Sequence, residues 1–157
     1  MYRRIGLAAL ALVVTAACAT SNPSPEDEQT LSAVAASAEA APLSDADRAA
    51  APELAKRFME AANAGNSDAV AATFAENARF DSVGRIYPSR KDIMDRFINP
   101  EVIKPGGEYK VTGEKWEGNR YRVDYDYSTG YGGTEIFYYE YLVRDGLIQD
   151  VVGRYSS

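Results

Sequence analysis

The chain has 157 residues, 46% hydrophobic and 25% charged, the make-up of a soluble globular protein of about one domain. It contains no His, which removes the commonest general base, the commonest metal ligand and every Ser-His-Asp or Cys-His nucleophile arrangement. With 17 basic and 23 acidic residues the net charge is -6, so a duplex phosphate backbone is repelled on average and nucleic acid is not an expected partner.

The start, Met1-Tyr2-Arg3-Arg4, is basic, and the apolar stretch Ile5 to Ala17 leads to the only cysteine, Cys18. Thirteen residues at helical rise cover roughly 20 Å, short of a ~30 Å hydrocarbon core, so the stretch reads as an export signal and not as a spanning helix. Thr15-Ala16-Ala17-Cys18 resembles the lipobox of bacterial lipoproteins. That resemblance implies a signal peptide over residues 1–18, with Cys18 receiving diacylglycerol and becoming the mature N-terminus. Thr15 stands where the lipobox usually has Leu or Val, and ordinary cleavage near Ala17 or Ala19 is the alternative. Ala19 after the cysteine implies sorting to the outer membrane, facing the periplasm. With no second Cys, an intramolecular disulfide and a Cys-based zinc site are both excluded.

Residues 19–51 are rich in Ala, Ser, Pro, Glu and Asp, with Leu31, Val34 and Leu43 as the only large apolar side chains. Such a stretch cannot bury a core and reads as a tether. It carries most of the negative charge, which reads as solvation.

Residues 52–157 have the periodicity of a folded domain. Pro52 fits a first helical position, with Leu54, Phe58, Ala61 and Ala62 at helical spacing and Gly65 as the stop. Ser67 is read as the cap of a second helix carrying Val70 and Phe74 and ending near Glu76-Asn77. Ala78 to Val83 reads as a strand and Arg85 to Tyr87 as its return, followed by a third helix capped at Ser89 and bearing Ile93, Met94 and Phe97. Four strand-like runs follow, Glu108 to Glu117, Arg120 to Ser128, Gly133 to Arg144 and Leu147 to Tyr155, forming an antiparallel meander. In the second run Tyr121, Val123, Tyr125 and Tyr127 alternate with Arg120, Arg122, Asp124 and Asp126, so one face is aromatic and one wet. Trp116 is out of phase with Tyr109 and Val111 and is assigned to the outer face with Ile136 and Tyr138, a patch on which a homodimer could form. Gly130-Tyr131-Gly132-Gly133 lacks the spacing and following helix of a phosphate loop and reads as a hairpin tip.

This order of elements resembles the nuclear transport factor 2-like (NTF2-like) superfamily, which includes SnoaL-like polyketide cyclases and ketosteroid isomerases. The resemblance covers about residues 52 to 155 and is carried by Lys56 to Asn66, Thr73 to Ala78 and Arg144 to Ile148. It implies an α+β cone, a curved antiparallel sheet packed on three helices around a cavity. By face and phase, Phe58, Phe74, Tyr121, Tyr125 and Tyr139, with Phe137 and Tyr141, point into that cavity, where a small apolar ligand fits.

Asp81-Ser82-Val83-Gly84 falls where ketosteroid isomerases carry an Asp-Pro-Val-Gly segment whose Asp shuttles a proton. The resemblance makes Asp81 the catalytic candidate, expected at an apolar cavity mouth with a raised pKa. The partners of that chemistry are missing: Phe58 stands at the position of the helix tyrosine, and Tyr139 near that of the protonated sheet aspartate. Loss of one oxyanion donor costs about 3 kcal/mol of barrier. The residues therefore favour a membrane-anchored domain that binds a small apolar molecule or a protein partner without catalysis and without cofactor or metal. Two alternatives stand: an isomerase or lyase with Asp81 as general base, and a structural envelope module acting through its outer sheet face.

Overall fold

The computed structural model describes residues 41–157; the segment expected to be a signal peptide, Cys18 and residues 19–40 of the expected tether lie outside the described residues. The first helix, α1, runs Asp45–Asn63, seven residues earlier than Pro52. Residues 45–51, read as tether, are therefore helical. Two local causes account for the difference. The Ser44 hydroxyl accepts from the Asp47 N–H at 3.1 Å, an N-cap with Asp45 and Asp47 in the first turn. The alanines that made the segment look featureless are strong helix formers, and Ala51 is buried with Leu54 and Ala55. Asp47 is itself buried, accepting from the Gly146 N–H at 2.9 Å and from the Ser44 hydroxyl at 2.7 Å. Those bonds, with the Arg144 charge, outweigh burial and hold its pKa below the ordinary value.

Asn66, not Ser67, caps the short α2 (Ser67–Ala71), its side chain accepting from the Ala69 N–H. Ser67 donates instead to Asn99 at 2.7 Å. The second helix also ends earlier than expected, because Phe74 to Asn77 belong to β1 (Phe74–Ser82). Thr73 closes the helix by donating its hydroxyl to the Val70 carbonyl, and its own carbonyl accepts from the Ile148 N–H. β2 (Arg85–Tyr87) returns through a tight turn in which Val83 (φ 53°) and Gly84 (φ 89°) both take left-handed backbone. α3 (Arg90–Ile93), capped by Ser89 as expected, runs on as a π-helix over Met94–Ile103.

β3 (Glu108–Glu117), β4 (Arg120–Ser128), β5 (Thr134–Arg144) and β6 (Leu147–Tyr155) form the expected meander. The full sheet order is β2-β1-β6-β5-β4-β3, antiparallel throughout except that β1 and β6 pair in parallel. The result is an α+β fold with a six-stranded sheet whose inner face meets the helices.

Phe58 lies at the centre of the core. Its ring makes edge contacts with Phe74, Tyr109, Tyr139 and Tyr141 at centroid distances of 5.8 to 6.2 Å. The phenols pair with one another: Tyr125 and Tyr141 hydroxyls are 2.9 Å apart, and those of Tyr109 and Tyr139 are 3.4 Å apart. Burial pushes all four phenols above the ordinary tyrosine value, so they remain protonated donors. Gly153 is required where β6 passes this cluster, since a Cβ there would stand 2.8 Å from the Tyr139 ring.

Candidate functional site

The residues expected to line a cavity separate into two sets. Phe58, Phe74 and Tyr139, with Phe137 and Tyr141, are packed against one another inside the core. Tyr121 instead borders an open groove of about 350 Å³ between α1 and the β3–β4 hairpin, and Tyr125, itself buried among those rings, forms part of its floor. The opening therefore lies beside the aromatic cluster and not within it.

The groove follows from two periodicities. Pro52, Ala55, Lys56 and Met59 fall at positions i, i+3, i+4 and i+7 of α1 and present one helix face. Val111 of β3 and Val123 of β4 supply the facing wall, with Tyr125 as a buried floor. Val111 is 37% exposed, which is high for an inward-facing valine, because the groove leaves it open. Glu53, Lys56 and Glu114 stand among these apolar groups.

Glu114 reaches the groove through a β-bulge. Tyr109 pairs with Tyr127 and Val111 with Tyr125 on the inner face; then the register shifts, and Gly113 pairs with Asp124, Glu114 with Val123 and Trp116 with Tyr121. Thr112 is the extra residue, and every side chain after it changes face. Glu114 and Trp116 therefore turn inward. Burial, with the Glu114 carboxylate nearby, pushes the Tyr121 phenol up to about 12. Sequence reasoning missed Glu114, Met59 and Val111. The available signal was Thr112-Gly113, since a glycine inside a strand pattern marks a bulge.

The same shift corrects the place of Trp116. It does not cover the outer face: it lies against Tyr121 at 5.2 Å on the inner side, under the Arg48 guanidinium of α1 at 4.3 Å. Of its expected outer-face companions, Tyr138 is covered by Arg122 at 3.6 Å, leaving Ile136 as the exposed apolar residue of that patch.

Asp81 occupies different surroundings from those expected. Phe80 points into the core, so its neighbour Asp81 projects from the outer face. Arg154 donates to both of its oxygens at 2.9 Å, Arg79 approaches at 3.4 Å, and the Gly84 N–H donates at 2.8 Å. Burial alone would raise the pKa; these donors and charges overcome it and hold the carboxyl below the ordinary aspartate value. The expected raised pKa is thus reversed. The network continues through Arg79 to Asp150 at 3.0 Å and from Asp150 to Arg120 at 2.7 Å. Its geometry locks β1, β6 and the strained Val83-Gly84 turn together.

Among the described residues no cluster of His, Cys, Asp and Glu could hold a metal ion, and no helix is long and apolar enough to cross a membrane.

No protein-family model matches the chain, and no curated protein sequence does. Solved structures do. An NTF2-like protein of unknown function from Cytophaga hutchinsonii superposes with a TM-score of 0.59 at 21% identity, covering 68% of this chain and 89% of its own. A structure from Sinorhizobium meliloti, provisionally named a polyketide cyclase, gives 0.59 at 18% identity, with 66% and 94% covered. One from Kribbella flavida, provisionally named a ketosteroid isomerase, gives 0.59 at 20% identity, with 69% and 78% covered. At these identities the likeness establishes the fold, which is NTF2-like.

Proposed function

We propose that this chain is a lipid-anchored NTF2-like domain of the bacterial envelope that binds a small apolar ligand, without catalysis, in the groove between α1 and the β3–β4 hairpin. The observation that carries this reading is the groove itself, a mostly apolar slot of about 350 Å³ that leaves Val111 open to solvent. The scaffold alone decides nothing, since one fold serves cyclases, isomerases and binding modules. Side-chain geometry favours binding over isomerisation. Asp81 is engaged by two guanidinium groups on the outer face, and the Tyr139 hydroxyl sits against Tyr109 inside a packed core. Neither group faces the groove.

The anchor rests on Thr15-Ala16-Ala17-Cys18 after a short apolar stretch, and Ala19 favours the outer membrane.

The binding reading is tested with N-phenyl-1-naphthylamine, a neutral apolar fluorophore. Saturable one-to-one binding is expected, abolished by Val111→Trp, whose indole fills the slot. A probe that does not bind, or that binds the variant equally well, overturns the reading. The anchor is tested by Cys18→Ala in the native host, which is expected to abolish acyl labelling and membrane retention; unchanged labelling refutes it.

A further inference from the structure

The sheet wall of the groove holds a carboxylate among Val111, Val123 and the two tyrosines. Strict alternation from Val111 would send Glu114 to the outer face with Arg122 and Asp124, and put Lys115 inside. The bulge at Thr112 reverses this, pairing Glu114 with the buried Val123 on the inner face. Bulges re-aim side chains in this way beside binding sites. Gly113 fits the device, since a Cβ there would stand 3.2 Å from an Asp124 oxygen on the outer side.

The charge around Glu114 is left open. A carboxylate accepts several hydrogen bonds, and Tyr121, paired with Trp116 two positions on, is the phenol beside it on the lining. No ion pair between described residues engages Glu114; the groove's one basic residue, Lys56, lies 4.0 Å from Glu60 on its own helix. With Glu53 also on the lining, the groove carries two carboxylates against one ammonium.

We infer that the groove selects an apolar molecule ending in a protonated amine, with Glu114 as the residue that recognises the ammonium. This rests on the groove being the binding site. The apolar body lies along Met59, Val111 and Val123, and the ammonium replaces its lost water by hydrogen bonds to the carboxylate. A carboxylate-ended molecule of the same length meets Glu114 and Glu53 and is repelled.

The test uses the secreted full chain carrying Cys18→Ser, which has no acyl chain to absorb the probes. Octylammonium, octanol and octanoate are compared at pH 7 in displacing N-phenyl-1-naphthylamine. Octylammonium is expected to displace at about five-fold lower concentration than octanol, the scale of one partly solvated ion pair, with octanoate weakest. Glu114→Gln should erase the advantage of octylammonium and leave octanol unchanged, with the melting temperature of the variant confirming folding. Equal displacement by octylammonium and octanol in the parent chain, or an advantage that survives Glu114→Gln, overturns the amine inference while the groove stands. Failure of the fluorophore to bind overturns both.

Discussion

Replacing Phe58 by Ala tests whether the interior of the cone is a packed core or a ligand chamber. The side chain is fully buried and touches four other rings. Burial of a phenylalanine contributes about 1.5–3 kcal/mol, and edge-to-face pairs add about 0.5–1.5 kcal/mol each, although four contacts to one ring are not independent. The void left behind adds its own cost, because Phe74 and the paired tyrosines are held by neighbours and cannot collapse into it. A loss of about 4–5 kcal/mol is expected, near the top of the range for buried aromatic truncations and a large share of a total of about 5–15 kcal/mol. At roughly 4 °C per kcal/mol the melting temperature should fall by about 16–20 °C. Urea denaturation with far-ultraviolet circular dichroism measures the first, calorimetry the second. The variant should keep the fluorophore site in the groove, and should gain an apolar void that benzene can enter, partly restoring stability. A loss under 1 kcal/mol, or one accompanied by disappearance of groove binding, would show that Phe58 lines an open chamber and that the packed-core reading is wrong.

Asp81→Asn removes charge-assisted hydrogen bonds to Arg154 from a carboxylate whose side chain is 10% exposed, and should cost about 1–3 kcal/mol at pH 7; Arg154 is 41% exposed, so solvent keeps the cost toward the low end. The sign of the pH dependence follows from the lowered pKa. Asp81 contributes fully above the unfolded-state value near 3.8 and loses its contribution as pH falls through the lower folded value. Urea midpoints of parent and variant should therefore converge below pH 3.8; a gap that widens on acidification contradicts the assignment. Gly153→Ala places a methyl 2.8 Å from the Tyr139 ring and 3.4 Å from the Asp81 carbonyl, and should destabilise by about 1–3 kcal/mol. A neutral or stabilising outcome by denaturation would mean that the ring and strand can part at little cost.

What was legible in the sequence is what short-range chemistry decides. The alternation from Arg120 to Tyr127 put its four apolar side chains inside, because the pleat has period two and one face of this strand meets the helices. Ser89 capped its helix, and the three hairpins of the meander formed where turn residues interrupt the strands. The misreadings have nonlocal causes. Phe74 to Asn77 look helical until β6 offers a parallel partner that begins at Ile148. The start of α1 is set by Asp47 meeting the Gly146 N–H across 99 positions. Leu54 and Phe58 were legible as inward, but not whether they face a void or other rings, because periodicity reports a face and says nothing of volume.

The two candidate site residues escape a local reading for different reasons. Asp81 was singled out by a four-residue likeness to isomerases, and that likeness is equally the signature of a hairpin turn, an acceptor three residues before a glycine with left-handed backbone. What separates a proton shuttle from a turn anchor is the charge facing the carboxylate, here Arg154, 73 positions away, which no local pattern contains. Glu114 was invisible for the opposite reason: its neighbours are local, but a single unpaired residue inverts the face of everything after it, which strict alternation does not register. A polar residue in such a strand can therefore be assigned to groove or solvent only after any glycine within two positions has been tested as a bulge, and Gly113 stands next to Glu114.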